Sequence, residues 1–319
     1  MGAVTNWVLG PVWQAIFLVA LCYVVPYLDT PAIVLQVFIT LRQGLSKGLT
    51  VSLSGILIGV VLSFFVNTLF LDLDYNVLVQ SLQWTLLVTL PLLGFAALLR
   101  QSVSLSLTLQ VMTFAFMILL VICCYGEFHL FPELLNNQIN ANVAKITETL
   151  VKSQSGDSGD IFTIAPERIE QINQFITLVF EVLTIYTMYI GLLLLARTWQ
   201  SYVFMPKAFG EEFRNLRCGL WLGVIIIASW FSILLVSDSI AQSSLTGVLL
   251  LGAIWLLING ITLVHWCLET FRISKWYLLF FYLLLLIPIV SSFLVLTLVL
   301  VGLTDSFINL RSFMLRKKI

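Results

Sequence analysis

Charge is what this sequence has least of. Asp, Glu, Lys and Arg together make up 10% of its 319 residues, against about a quarter in an ordinary globular domain. The acids and bases balance at 16 each, so no basic surface is left over for nucleic acid. Histidine is nearly absent, with His129 and His265 far apart in the chain. The five cysteines (Cys22, Cys123, Cys124, Cys218, Cys267) lie in or beside apolar runs, at spacings of neither a zinc site nor a disulfide framework. They read as small apolar packing residues. There is no HExxH, no GxSxG and no phosphate-cradling GxxxxGK[ST]. The chain is therefore expected not to be an enzyme, and to hold no cofactor or metal of its own. Without an ATP signature, any uphill transport would draw its energy from a partner or an ion gradient.

What is present is apolar. Hydrophobic residues are 60% of the chain, which predicts an all-α, polytopic transmembrane bundle of about 8–10 membrane segments in contact with lipid. Apolar runs fall near 11–28, 31–43, 47–70, 78–99, 104–124, 174–197, 218–237, 244–268 and 276–303. The first has no basic flank before it and no small-residue cleavage pattern after it, so it reads as a retained helix. The run at 31–43 is barely long enough to cross. The run at 276–303 is too long and has cations on both flanks, so it reads as two helices broken at Pro288. Lys and Arg collect in short cytoplasmic loops; placing 40–48, 100–103, 197–217, 269–275 and 304–319 there gathers every basic residue except Lys145, Lys152 and Arg168. Both termini are then cytoplasmic.

Three units follow: a transmembrane bundle at 1–124, an external helical insertion at 125–173, and a second bundle at 174–319. In the insertion, Leu135, Ile139, Val143, Ile146 and Leu150 recur at helical spacing, followed by the SQSGDSGD linker and a helix opened by Pro166. A lid over a site and a helix lying on the membrane surface are both open readings. Gly48, Ser52, Gly55, Gly59 and Ser63 form a small-residue stripe that predicts close helix packing.

Glu181 interrupts an apolar span, where an ionisable group costs about 2.5–3.5 kcal/mol and is usually paired or used. With Asn67, Gln80, Gln83 and Thr184 it falls in the predicted outer half of the membrane, with Tyr186 within reach just below. Glu181, Asn67, Gln80, Gln83 and Tyr186 are candidates for binding a small molecule from the outer side; the alternative is that Glu181 is protonated and serves as internal glue. His265 and Glu269, at i and i+4, read as a hydrogen-bonded pair rather than a metal site.

The connection ARTWQSYVFMPKAFGEEFRNLRCG (196–219) carries the densest pattern. Arg197, Trp199, Gln200, Phe209, Glu212, Phe213, Arg214 and Arg217 read either as a surface that docks a protein partner at the cytoplasmic face or as interfacial anchors, with glutamates placed to pair the arginines. This stretch, together with GITLVH (260–265), the tail GLTDSFINLR (302–311) and TPAIVLQVFITLRQGLSKG (30–48), resembles the YybS-like family of predicted bacterial membrane proteins. Gly302, Asp305 and Arg311 match that family's tail motif, while Met205, Lys207, Ala208 and Asn309 depart from its usual residues. The resemblance implies an integral protein of the bacterial cytoplasmic membrane, distantly similar to the substrate-binding membrane components of energy-coupling-factor transporters. The alanine-x-x-x-alanine contact pattern of those components is missing from the first helix, where Ala15 and Ala20 are five apart. Two functions remain: a small-molecule binding or transport-associated component, or a scaffold docking other proteins through 198–217 and the tail.

Overall fold

The computed structural model describes residues 7–25, 28–70, 75–126 and 166–316, which form helices and their connections and contain no strand. In chain order the helices are α1 (Val12–Val24), α2 (Asp29–Gln43), α3 (Leu45–Phe70), α4 (Tyr75–Ser102), α5 (Leu105–Gly126) and α6 (Pro166–Phe204). They continue with α7 (Ala208–Arg214), α8 (Leu220–Leu235), α9 (Ser239–Thr270), α10 (Trp276–Leu285), α11 (Pro288–Ile308) and α12 (Leu310–Arg316). Among the described residues, six stretches are long and apolar enough to cross a membrane: Leu45–Val66, Leu82–Ser102, Leu105–Gly126, Phe175–Phe204, Ile240–Thr270 and Pro288–Ile308. Three more apolar helices, α1, α8 and α10, are shorter. Large apolar side chains line the outside, among them Leu57, Trp221, Leu235 and Phe293. A soluble protein would bury such residues; here they face lipid, and this is an integral membrane protein.

α2 is the exception in the bundle. Its 15 residues span about 22 Å, short of the ~30 Å hydrocarbon core. It is nevertheless deeply enclosed, with Ala32, Leu35, Gln36, Val37, Phe38, Ile39 and Thr40 all buried, and it packs on α1, α3, α4 and α6. A short helix inside the membrane needs its polar groups covered by protein, and Gln36 and Thr40 are covered while the charged ends, Asp29 and Arg42, are exposed. Gly44, at φ 101°, turns the chain directly from α2 into α3, a conformation L side chains avoid.

The small-residue stripe of α3 is spent inside the chain. Gly48 meets Thr40 of α2, Gly55 meets Val19, and Gly59 meets Ala20 and Tyr23 of α1. Close backbone approach replaces the hydrophobic drive that is missing between helices in lipid. At the opposite end of the sequence the long run does break: α10 ends at Leu285 and Pro288 opens α11. Asn309, at φ 53°, then reverses the chain into α12. There Met314 meets Cys267 near the end of α9, and Arg311 reaches Thr262. The segment from 271 to 316 thus leaves α9 and returns to it. One unbroken helix over 276–303 would have carried the tail about 42 Å away.

The sixth span differs from the sequence reading at both ends. Read as 174–197, the helix runs from Pro166 to Phe204, which joins the helix opened by Pro166 to the span and takes the first part of the 198–217 loop into the bundle. The reason at the later end is aromatic: Phe38 of α2 stacks on Trp199 with ring centroids 4.7 Å apart and on Phe204 at 6.4 Å. Arg42 lies over the Phe204 ring at 4.3 Å. These contacts hold the last two turns of α6 against α2.

Candidate functional site

Buried polar groups inside a membrane bundle must be satisfied by partners within it, so their positions are the place to look for function. Two of the five ligand candidates read from the sequence, Glu181 and Tyr186, are fully buried on α6. The Tyr186 hydroxyl lies 2.8 Å from Thr113 Oγ1. Thr113 already donates to the Leu109 carbonyl, so Tyr186 is the donor in that pair. Tyr189, one turn on, donates to the Leu87 carbonyl at 2.8 Å, and the Phe116 ring packs against both tyrosines at 5.3 and 5.2 Å. Tyr186 is therefore fastened to α5. Gln83 is exposed on α4 and is not brought into this interior. The side chains of Asn67 and Gln80, and most of the insertion at 125–173, lie outside the described residues.

A second polar group, which the sequence reading did not pick out, surrounds α2. Gln36 is fully buried, and its Nε2 donates to the Tyr23 hydroxyl of α1 at 3.0 Å. Thr89 of α4 is also fully buried and lies against the same hydroxyl. Ser52 of α3 is buried as well, equally far from Gly44 along its arm of the hairpin as Gln36 is along the other. Gln36 Oε1 and Ser52 Oγ make no hydrogen bond within the protein, and Thr89 Oγ1 has no partner beyond its contact with the Tyr23 hydroxyl. Each such group left alone costs about 1–3 kcal/mol. A single glutamine in an apolar run, TPAIVLQVFITLR, was the one sequence signal for it.

The third group ties the tail to the 205–219 connection. Arg311 is 8% exposed; its Nη1 donates to the Arg214 carbonyl at 2.6 Å, and its Nη2 donates to the Leu216 carbonyl at 2.7 Å and to Thr262 Oγ1 at 3.1 Å. Its Nε is 3.6 Å from Asp305 Oδ2. Asp305 is fully buried; its Oδ1 accepts from the Leu310 N–H and its carbonyl accepts from Arg217. Burial pushes the Arg311 guanidinium down from its ordinary value, and Asp305 beside it opposes that shift. Asn259 Nδ2 donates to the Gly302 carbonyl at 2.8 Å, and Ser106 and Gln110 of α5 donate to the Arg217 carbonyl. All three tail-motif residues, Gly302, Asp305 and Arg311, meet here.

No family model, no curated protein and no solved structure matches the chain. The geometry therefore carries the functional reading.

The residues read as a docking surface are engaged within the chain. Arg197 makes a two-pronged pair with Glu212 and donates to Gln200 Oε1 at 2.6 Å. Ser201 donates to the Met205 carbonyl and accepts from the Phe209 N–H, closing the turn before α7. Phe209 packs on Phe213, Phe213 on His265, and His265 Nε2 is 2.8 Å from the Tyr282 hydroxyl of α10. Trp199 and Arg217 are occupied as described above, while Arg214 is engaged through its main-chain carbonyl. Tyr202, Met205, Lys207, Glu211 and Asn215 are left as the exposed face.

The Arg197–Glu212 pair is partly exposed, at 16% and 24% for the two side chains, so water screens it and its contribution is local. Arg197→Gln is expected to speed tryptic cleavage at Lys207 and Arg214 by roughly three- to tenfold through local opening, with little change in global melting. The double exchange Arg197→Glu with Glu212→Arg should restore resistance. Unchanged cleavage rates in Arg197→Gln would show that the pair does not close the turn.

Proposed function

We propose that this integral membrane protein is a small-molecule-binding, transport-associated component of a bacterial cytoplasmic membrane, non-enzymatic, with both termini cytoplasmic. The observation that carries this reading is α2, a helix too short to span, enclosed by α1, α3, α4 and α6, with polar side chains along its buried length. Polar side chains enclosed in a membrane bundle usually face a solute path or one another, because lipid offers them no hydrogen bonds. The likeness to the YybS-like family, and through it to transporter binding components, points the same way. The scaffold reading has less support: Arg197, Trp199, Phe209, Glu212, Phe213 and Arg217 engage side chains or carbonyls inside the chain, leaving fewer groups for another protein.

Native mass spectrometry of the gently solubilised protein tests the proposal. A small non-lipid molecule retained on the wild-type chain is the expected result. A bare chain accompanied by stoichiometric protein partners would replace this reading with the scaffold.

A further inference from the structure

We propose that Tyr23, Gln36, Ser52 and Thr89 form a binding site for a small, uncharged molecule that offers both a hydrogen-bond donor and an acceptor, at the centre of the four N-terminal helices. This deepens the small-molecule reading above and rests on it. The four groups come one each from α1, α2, α3 and α4, so the site exists only when those helices are assembled.

The behaviour of the hydroxyls is the distinguishing observation. Several buried hydroxyls of the bundle donate to the carbonyl one turn back: Thr40 to Gln36, Thr113 to Leu109, Ser244 to Ile240, Ser306 to Gly302. Ser52 and Thr89, both fully buried, make no such bond. Their hydroxyls are kept available. The Gln36 amide is anchored through Nε2 on Tyr23, which fixes Oε1 as an acceptor with nothing in the protein to accept from. Buried polar atoms are almost always partnered, and two exceptions on adjoining helices, with Thr89 held only by its contact with Tyr23, call for a guest that partners them.

The chemistry of the guest follows from the donor set. Gln36 Oε1 accepts and never donates, so the guest carries an N–H or O–H. Ser52 and Thr89 can donate, so it also carries an oxygen or nitrogen acceptor. None of the four groups is ionised, and the charges of α2, Asp29 and Arg42, are exposed at its two ends. A charged guest would lie in the membrane interior without a counter-charge, which the cost of burying an ion forbids.

The test compares native mass spectra of wild type, Gln36→Leu, Thr89→Val and Glu181→Gln, and adds a labelling measurement on Ser52→Cys, a change small enough for the site to tolerate. The probe for labelling is methyl methanethiosulfonate, small and neutral, against its charged trimethylammonium-ethyl analogue, with adducts located by peptide mapping. The expected result is a neutral molecule on wild type and Glu181→Gln, at least tenfold less of it on Gln36→Leu and Thr89→Val, and reaction of the thiol introduced by Ser52→Cys with the neutral reagent alone. A molecule lost from Glu181→Gln but kept by Gln36→Leu and Thr89→Val would overturn this site while leaving the small-molecule reading standing. A bare wild type would remove that reading and this site together, whether the introduced thiol stays unreactive, as in a dry core, or reacts, as in a pocket that takes water only. If the Gln36 and Thr89 variants fail to fold, the Ser52→Cys labelling decides: protection by the retained molecule supports the site, and equal labelling of loaded and emptied protein overturns it.

Discussion

Arg311→Met is expected to lower the thermal unfolding midpoint of the detergent-solubilised protein by on the order of 10 °C. The guanidinium satisfies the Arg214 and Leu216 carbonyls and Thr262, and stands beside the fully buried Asp305. Removing one partner from a buried ion pair costs about 3–5 kcal/mol, because the other charge stays behind in a poor solvent. That is a large share of the roughly 5–15 kcal/mol by which folded domains are usually stable. The sign can be checked with a second variant. Asp305→Asn added to Arg311→Met takes away the stranded charge and should recover part of the loss. Arg311→Lys should fall between, since a single ammonium cannot reproduce a fork that serves several acceptors. A melt for Arg311→Met within about 2 °C of wild type would show that the tail is held by packing alone.

Gly302→Val should be more damaging still, and for a reason unrelated to charge. A Cβ at Gly302 would fall on the Leu256 carbonyl, and one at Gly260 would fall on the Leu298 carbonyl, both well inside contact distance. The obstacle in each case is backbone, which cannot rotate away as a side chain does. α9 and α11 would have to separate, breaking the Asn259 bond to the Gly302 carbonyl and pulling Asp305 from its place. Overpacking of ordinary cores costs about 1–3 kcal/mol; a backbone crossing exceeds that. Size-exclusion profiles of Gly302→Val and Gly260→Val should therefore show aggregated or poorly expressed protein. Gly94 and Gly191 are the controls, since nothing lies within 4 Å of a Cβ at either. Both are helical, so Gly94→Ala and Gly191→Ala should be neutral or up to about 1 kcal/mol stabilising. A Gly302→Val protein that is monodisperse and melts normally would mean that the two helices do not cross this closely.

The candidate residues show where pattern reading reaches its limit. Glu181 was visible because a carboxylate in an apolar run is costly wherever the helix points. Gln36 was passed over because a single amide in such a run is cheap enough to belong anywhere, and Ser52 was read only for its small size. Gln83 looked like Gln36 in sequence, yet it is exposed on α4 while Gln36 is enclosed. Nothing in composition distinguishes the two; the neighbours of α4 do. Arg197, Glu212 and Arg217 are legible as a cluster of charge, but not as a cluster turned inward. Their side-chain partners, Gln200 apart, lie between 15 and 88 positions away in the chain.

Membrane residence was determined by the sequence itself, since hydrocarbon selects for apolar composition regardless of how helices pair. So were the apolar runs that became helices and the break at Pro288, because a missing backbone donor acts locally. The tertiary structure alone decided that α2 lies enclosed, that the glycine stripe faces α1 and α2, and that the tail folds back onto the end of α9. Those outcomes depend on side chains from distant segments meeting at contact distance, and in a membrane, where every helix surface is about equally apolar, periodicity does not say which face meets which.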